Sequence, residues 1–246
     1  MNADSPSILV VDDEPDNCRN LADILTDLGY HVDVAPDGPA ALELVQRRRY
    51  DVALLDLMMP GMDGAALWAE MRRLRPGIVA LIVTAYPNNP KAGAALTEGA
   101  WKVVPKPVDF PALLALVDEA LGQPLVLVVD DDHDLCRNLW DVLRDRGYRV
   151  CIAHDEAGAA ERLRDGSYKV ILLDMRLPDG DGASVFRRAK ETNPQAEVVL
   201  ITGHRPDAEP GIGRVLAEGA RAVFHKPFDI PALLGMLESL TGKRSG

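Results

Sequence analysis

Two aspartates in succession, Asp12-Asp13, close the apolar run Leu9-Val10-Val11, and a third, Asp56, closes the run Leu54-Leu55. The arrangement returns as Leu127-Val128-Val129-Asp130-Asp131 and Leu172-Leu173-Asp174, each time offset by 118 (130 − 12 and 174 − 56). Short, partly β-branched runs of this kind read as strands. Three carboxylates per copy therefore gather at neighbouring strand ends, where α/β proteins build their sites. At ~4 Å each like-charge pair costs about 1 kcal/mol in water and about 4 kcal/mol at a surface-like dielectric. A bound divalent cation relieves that repulsion, and all-oxygen ligation favours Mg²⁺. Alone, Asp12-Asp13 is better read as a loop capping the next helix. The matching strand-end Asp and the duplication favour the metal site.

Asp56 and Asp174 are also candidate nucleophiles, because a carboxylate can carry a phosphoryl group as an aspartyl-phosphate. Such a transfer asks mainly for charge neutralisation at the phosphoryl oxygens. Lys106 and Lys226, after the fifth apolar run of each copy, supply a cation; Thr84 and Thr202, ending the fourth, supply a hydroxyl. Singly, each is an ordinary turn lysine or strand threonine. Their recurrence at matching strand ends makes the set specific.

The elements that must hold these residues follow from periodicity. Residues 8–30 align with 126–148 without a gap and with 15 of 23 positions identical, so the chain is an internal repeat. In the first copy, runs 8–11, 31–35, 52–55, 79–83 and 103–104 read as strands, and 16–28, 38–48, 63–74, 91–98 and 109–121 carry helical spacing. The second copy places strands near 125–129, 148–153, 170–173, 197–201 and 222–224, with a last helix near 229–241. Gly29 and Gly147 stop the first helix of each copy. The fold class expected is α/β: two (βα)5 doubly wound parallel-sheet domains in tandem, spanning 6–122 and 124–242. Right-handed crossovers then put every strand-to-helix loop, and so every candidate residue, on one edge of its sheet.

Composition narrows the functions. A net charge of −11 speaks against gripping nucleic acid through its phosphates. No apolar run approaches the ~20 residues of a membrane helix, and the N-terminus has no signal-peptide pattern. Cys18, Cys136 and Cys151 show no metal or disulfide spacing, and a reduced, cytoplasmic chain is expected. The five histidines read as surface or loop residues, with His133 and His225 nearest the site. Trp140 replaces Ala22 of the first copy, either as helix packing or as a contact with the other domain or a partner.

Val11-Asp12-Asp13-Glu14, Asp56-Leu57-Met58-Met59-Pro60-Gly61-Met62-Asp63-Gly64, Thr84-Ala85 and Lys106-Pro107 together resemble the receiver domain of response regulators. So do Val129-Asp130-Asp131-Asp132, Asp174-Met175-Arg176-Leu177-Pro178-Asp179-Gly180-Asp181-Gly182, Thr202-Gly203 and Lys226-Pro227-Phe228. The resemblance covers nearly the whole chain. It implies a flavodoxin-like fold with strand order 2-1-3-4-5 and phosphoryl acceptance by Asp56 and Asp174 from a histidine kinase or histidine phosphotransfer protein. It also implies a Mg²⁺ ion held by Asp13 and Asp131, by Asp12 and Asp130 mainly through water, by Asp56 and Asp174, and by the carbonyls of Met58 and Arg176. Thr84, Lys106, Thr202 and Lys226 would bind the phosphoryl group, and the Lys-Pro bonds would be cis.

The sequence departs from the family where an aromatic switch residue is usual, three positions before the lysine: Val103 and Val223 stand there. Met58 and Tyr86 correspond to Arg176 and His204, so the two aspartyl-phosphates should decay at different rates. The Pro- and Gly-rich stretch Arg205 to Gly213 suggests a short fourth helix in the second copy. The reading expected is a non-enzymatic signalling module, at most self-dephosphorylating slowly. Its output would pass to a downstream protein effector, without direct nucleic-acid or membrane contact; a homodimer is compatible with it. Two alternatives stand beside it: the receiver portion of a larger regulator, such as a diguanylate cyclase or hybrid histidine kinase, and an aspartyl-phosphate phosphatase of the haloacid dehalogenase type. The phosphatase needs Asp-x-Asp after its first strand, against the adjacent Asp12-Asp13 here.

Overall fold

The structure, a computed structural model, describes residues 5–75, 77–165, 167–178, 180–203 and 210–243. The chain divides between Gln123 and Pro124 into two compact units. The first runs β1 (Ser7–Val11), α1 (Pro15–Asp27), β2 (His31–Ala35), α2 (Gly38–Arg47), β3 (Val52–Asp56), α3 (Gly64–Leu74), β4 (Val79–Thr84), α4 (Pro90–Thr97), β5 (Lys102–Pro105) and α5 (Phe110–Leu121). The second runs β6 (Leu125–Val129), α6 (His133–Asp145), β7 (Arg149–Ala153), α7 (Glu156–Asp165) and β8 (Val170–Asp174). It continues with β9 (Arg176–Leu177), β10 (Gly180–Asp181), α8 (Gly182–Thr192), β11 (Glu197–Thr202), α9 (Pro210–Ala217), β12 (Ala222–His225) and α10 (Ile230–Thr241).

Each unit is built on a five-stranded parallel sheet, ordered β2-β1-β3-β4-β5 in the first and β7-β6-β8-β11-β12 in the second. The expected class and strand order hold. Strands β3 and β4 are buried at every position, as strands covered by helices on both faces must be. Alternate residues of β1 feed opposite faces: Leu9 and Val11 enter one core with Leu55, Ile8 and Val10 the other with Leu54.

Gly29 and Gly147 end the first helices at φ +92° and +71°, a conformation that a β-carbon disfavours. Tyr30 N then donates to Leu25 O at 3.2 Å and Tyr148 N to Leu143 O at 3.0 Å, which turns the chain into β2 and β7. Trp140 is buried in the second unit's own core beside Leu139 and Leu143, so ordinary helix packing accounts for it. Helix α9 has eight residues, the same as α4; residues 205–209 of the stretch before it lie outside the described residues. The antiparallel pair β9–β10 between β8 and α8 was not legible in the sequence. Among the described residues no helix is long and apolar enough to cross a membrane.

Candidate functional site

The parallel topology delivers the candidate residues to one edge. In the first unit, Asp12 follows β1, Asp56 ends β3, Thr84 ends β4 and Lys106 follows β5. Lys106 Nζ lies 2.8 Å from Asp12 Oδ2 and 2.9 Å from Asp56 Oδ2, bridging two strands 44 residues apart in sequence (56 − 12). The remaining oxygens are held by backbone: Asp56 Oδ1 accepts from Met58 N at 3.2 Å and Asp12 Oδ1 from Glu14 N at 2.9 Å. Thr84 is fully buried, its Oγ1 accepting from Tyr86 N at 3.1 Å, while its carbonyl accepts from Lys106 N at 2.8 Å. Thus Lys106 ties Thr84, through its backbone, to Asp56, through its side chain.

The second unit repeats the block. Lys226 Nζ stands 2.6 Å from both Asp130 Oδ2 and Asp174 Oδ2. Arg176 N donates to Asp174 Oδ1 at 2.9 Å and Asp132 N to Asp130 Oδ1 at 3.0 Å. Thr202 is fully buried at the end of β11, and Lys226 N donates to its carbonyl at 2.7 Å. Both Lys-Pro bonds, Lys106-Pro107 and Lys226-Pro227, are cis.

Each block groups its carboxylates closely enough to cradle a cation. One oxygen from each of Asp12, Asp13 and Asp56 lies within 4.8 Å of the others, and Asp130, Asp131 and Asp174 do the same. Opposed ligands of Mg²⁺ sit about 4.2 Å apart at ordinary bond lengths, so the spacing needs only slight closure or one bridging water. Three carboxylates and one ammonium leave a formal charge of −2, which one divalent ion cancels. Asp13 and Asp131 are exposed and Asp12, Asp56, Asp130 and Asp174 buried, so the ion would sit at the rim. Burial pushes the Asp130 carboxyl above its ordinary range and Asp174 adds to this, although the hydrogen bond from Lys226 opposes it. Burial also works against the charge on Lys106 and Lys226, but their paired carboxylates win and hold both above the usual lysine value.

Glycine makes room for the loop carrying the acceptor. A β-carbon on Gly64 would stand 3.0 Å from Leu57 Cα and closer still to the carbonyl oxygen of Asp56. On Gly182 it would stand 2.5 Å from Asp174 O and 2.6 Å from Met175 Cα. The first turns of α3 and α8 therefore lie against the acceptor's own backbone.

Several contributors were missed by sequence reasoning. The thiols of Cys18 and Cys136 donate to the carbonyls of Asp12 and Asp130 at 3.2 and 3.3 Å, which explains why cysteine stands at both equivalent helix positions. Burial raises both, Cys136 to about 12, so they serve as neutral donors. His154 meets the Asp130 carbonyl at 2.9 Å through Nδ1, and since a carbonyl only accepts, that nitrogen carries the hydrogen. His133 lies against it, 3.8 Å between ring centroids with the planes tilted by 37°. His225 is exposed at the end of β12. Of the residues singled out near the site, His204 and Asp179 lie outside the described residues. Val103 and Val223 are half-buried against the cores; Phe224 packs edge-on to Phe228 at 6.1 Å, and Trp101 against the α5 side of its sheet.

A doubly wound parallel sheet with an Asp-Asp pair, a strand-end Asp, a Thr and a Lys gathered on one edge defines the class of α/β domain, present here twice. Residues 8–118 and 126–238 match the model of the response regulator receiver domain, and the chain belongs to that family, placing it in two-component phosphorelay signalling. It is 38% identical over 237 residues to a response regulator receiver protein of Anaeromyxobacter sp. (strain Fw109-5), covering 96% of this chain and 95% of that one. It is 40% identical over 127 residues to the transcriptional regulatory protein ZraR of Escherichia coli O157:H7, covering 52% of this chain and only 29% of that one. Among solved structures, a CheY-like receiver domain from Methanospirillum hungatei JF-1 is 31% identical, covers 48% of this chain and 94% of that one, and superposes with a TM-score of 0.46.

Proposed function

We infer that both units are phosphoacceptors: Asp56 and Asp174 take a phosphoryl group from the phosphohistidine of a histidine kinase or histidine phosphotransfer protein. The observation that carries this reading is the lysine bridge, with Lys106 and Lys226 each reaching the acceptor and the aspartate after the first strand. An acceptor carboxylate oxygen attacks phosphorus, the O–P bond forms, and the N–P bond breaks with its electron pair returning to the donor imidazole. The lysine then exchanges its contact with the acceptor for a phosphoryl oxygen, and the Thr84 or Thr202 hydroxyl turns to a second. The group binds through charge neutralisation and positioning, which is what such loose transfers require.

Asp12, Asp13 and Asp56, with the Met58 carbonyl, would hold Mg²⁺ in the first unit; Asp130, Asp131 and Asp174, with the Arg176 carbonyl, in the second. Bound there, the ion supplies positive charge to the phosphoryl oxygens. The chain works as a signalling protein, with slow loss of its own phosphoryl groups as its only catalysis, and its output passes by protein contact to an effector in the cytoplasm. Labelling with a small phosphodonor in Mg²⁺ tests the reading on Asp56→Asn, Asp174→Asn and the double variant. Each single variant should keep one label and the double variant none; label surviving the double change refutes the assignment.

A further inference from the structure

The two units solve one packing problem in opposite ways. Gly38 at the start of α2 faces Met62 in the β3–α3 loop; 118 residues on, the same two places hold Glu156 and Gly180. A β-carbon on Gly38 would stand 2.9 Å from Met62 Cβ, and one on Gly180 would stand 2.8 Å from Glu156 Cβ. Bulk has moved from the acceptor loop to the facing helix, and in moving it has become a carboxylate. Glu156 Oε1 accepts from Ser184 Oγ at 2.6 Å and Oε2 from Asp181 N at 3.4 Å. Asp181 is paired across β9–β10 with Arg176, whose own N–H holds Asp174 Oδ1. In the first unit the described residues 57–63 contain no such paired strands.

We propose that Glu156 is a positioning residue for the second cation site. Through Asp181 and Ser184 it fixes the hairpin that carries Arg176, and so the placement of the Arg176 carbonyl and the Asp174 carboxylate around the ion. This rests on the reading of that site as a Mg²⁺ cradle. Residues that orient metal ligands without touching the metal typically change affinity 10–100-fold when removed.

The test is calorimetric titration of Mg²⁺, without any phosphodonor, into the full chain carrying Asp13→Asn and Asp56→Asn to silence the first site. Glu156→Ala should weaken binding about tenfold. Glu156→Gly combined with Gly180→Met, which transplants the first unit's packing, should restore it to within about threefold. Ser184→Ala, which leaves Glu156 in place, should weaken it by a smaller factor; it serves if Glu156→Ala fails to fold. Affinity within twofold of the parent in Glu156→Ala, or in Ser184→Ala where only that variant folds, overturns the positioning role. A parent chain that binds no Mg²⁺ overturns the cradle itself, a separate result.

Discussion

Met62 seats its side chain over Gly38 so closely that a β-carbon on Gly38 would lie 2.6 Å from Met62 Sδ and 2.9 Å from Met62 Cβ. The sulfur could swing aside; the β-carbon is fixed to the backbone and cannot. Gly38→Ala should therefore overpack the first unit, at about 1–3 kcal/mol. Helix propensity alone argues the other way, favouring Ala over Gly by up to about 1 kcal/mol in a helix interior. Urea denaturation decides the sign. Met62→Ala added to Gly38→Ala should recover most of the loss, giving a coupling energy that two independent substitutions would lack.

Gly64→Ala should act on phosphorylation more than on stability. The atoms it meets are the carbonyl of Asp56 and Leu57 Cα, so the acceptor loop must shift to admit the methyl group. A displacement near 1 Å at a reacting carboxylate can reduce a rate by about 100-fold. Small-donor labelling of Asp56, read in an Asp174→Asn chain, should fall by at least about tenfold, with labelling of Asp174 unchanged in the reciprocal Asp56→Asn chain. Equal loss at both acceptors would point to general unfolding.

Asp130 gives a pH-dependent prediction. Its folded pKa is raised, so between the unfolded and folded values the folded protein holds a proton that the unfolded chain has released. Stability therefore falls as pH rises through that window, and above it the ionised, buried carboxylate is a standing penalty. Asp130→Asn removes that penalty without stranding Lys226, which keeps Asp174 at 2.6 Å. In magnesium-free buffer at pH 7 the variant should melt higher than the parent, and the gap should close as the pH is lowered below the window. Mg²⁺ at about 100 times its Kd should stabilise the parent's second site by about 2.7 kcal/mol and the variant by much less. Scanning calorimetry with and without Mg²⁺ separates these outcomes.

Asp12, Asp13, Asp56, Thr84 and Lys106, with their second-copy counterparts, were legible because each closes or follows an apolar run, and parallel topology turns run ends into neighbours. Helix α1 was legible from the spacing of Leu21, Ile24 and Leu25 and its Gly29 stop. What stayed hidden depends on contacts between distant segments. Two-residue strands such as β9 and β10 have no periodicity to read. Cys18 looks like any small helix residue until the helix is docked and its thiol meets Asp12 O. The Gly38–Met62 and Glu156–Gly180 exchanges make sense only once α2 and α7 are seen beside the acceptor loops.

Lifetimes of the two aspartyl-phosphates should differ, with Asp56 keeping its phosphoryl group longer. Hydrolysis requires a water in line with the phosphorus, so what stands at the mouth of each site sets the rate. In the first unit that place is flanked by Met58, 44% exposed, and Tyr86, 63% exposed; Asn89 Nδ2 approaches Met58 Sδ at 3.9 Å and keeps the thioether near α4. Two large side chains without charge leave an attacking water few partners. In the second unit the Met58 position is Arg176, exposed and charged, a side chain of hydrogen-bond donors beside which water is better accommodated than beside a thioether. Decay of label in the two single-acceptor chains, Asp174→Asn for Asp56 and Asp56→Asn for Asp174, measures the difference directly. Met58→Arg should shorten the Asp56-phosphate lifetime toward that of the second unit. Identical decay in the two chains, or no change in Met58→Arg, would show that the mouth residues do not control water.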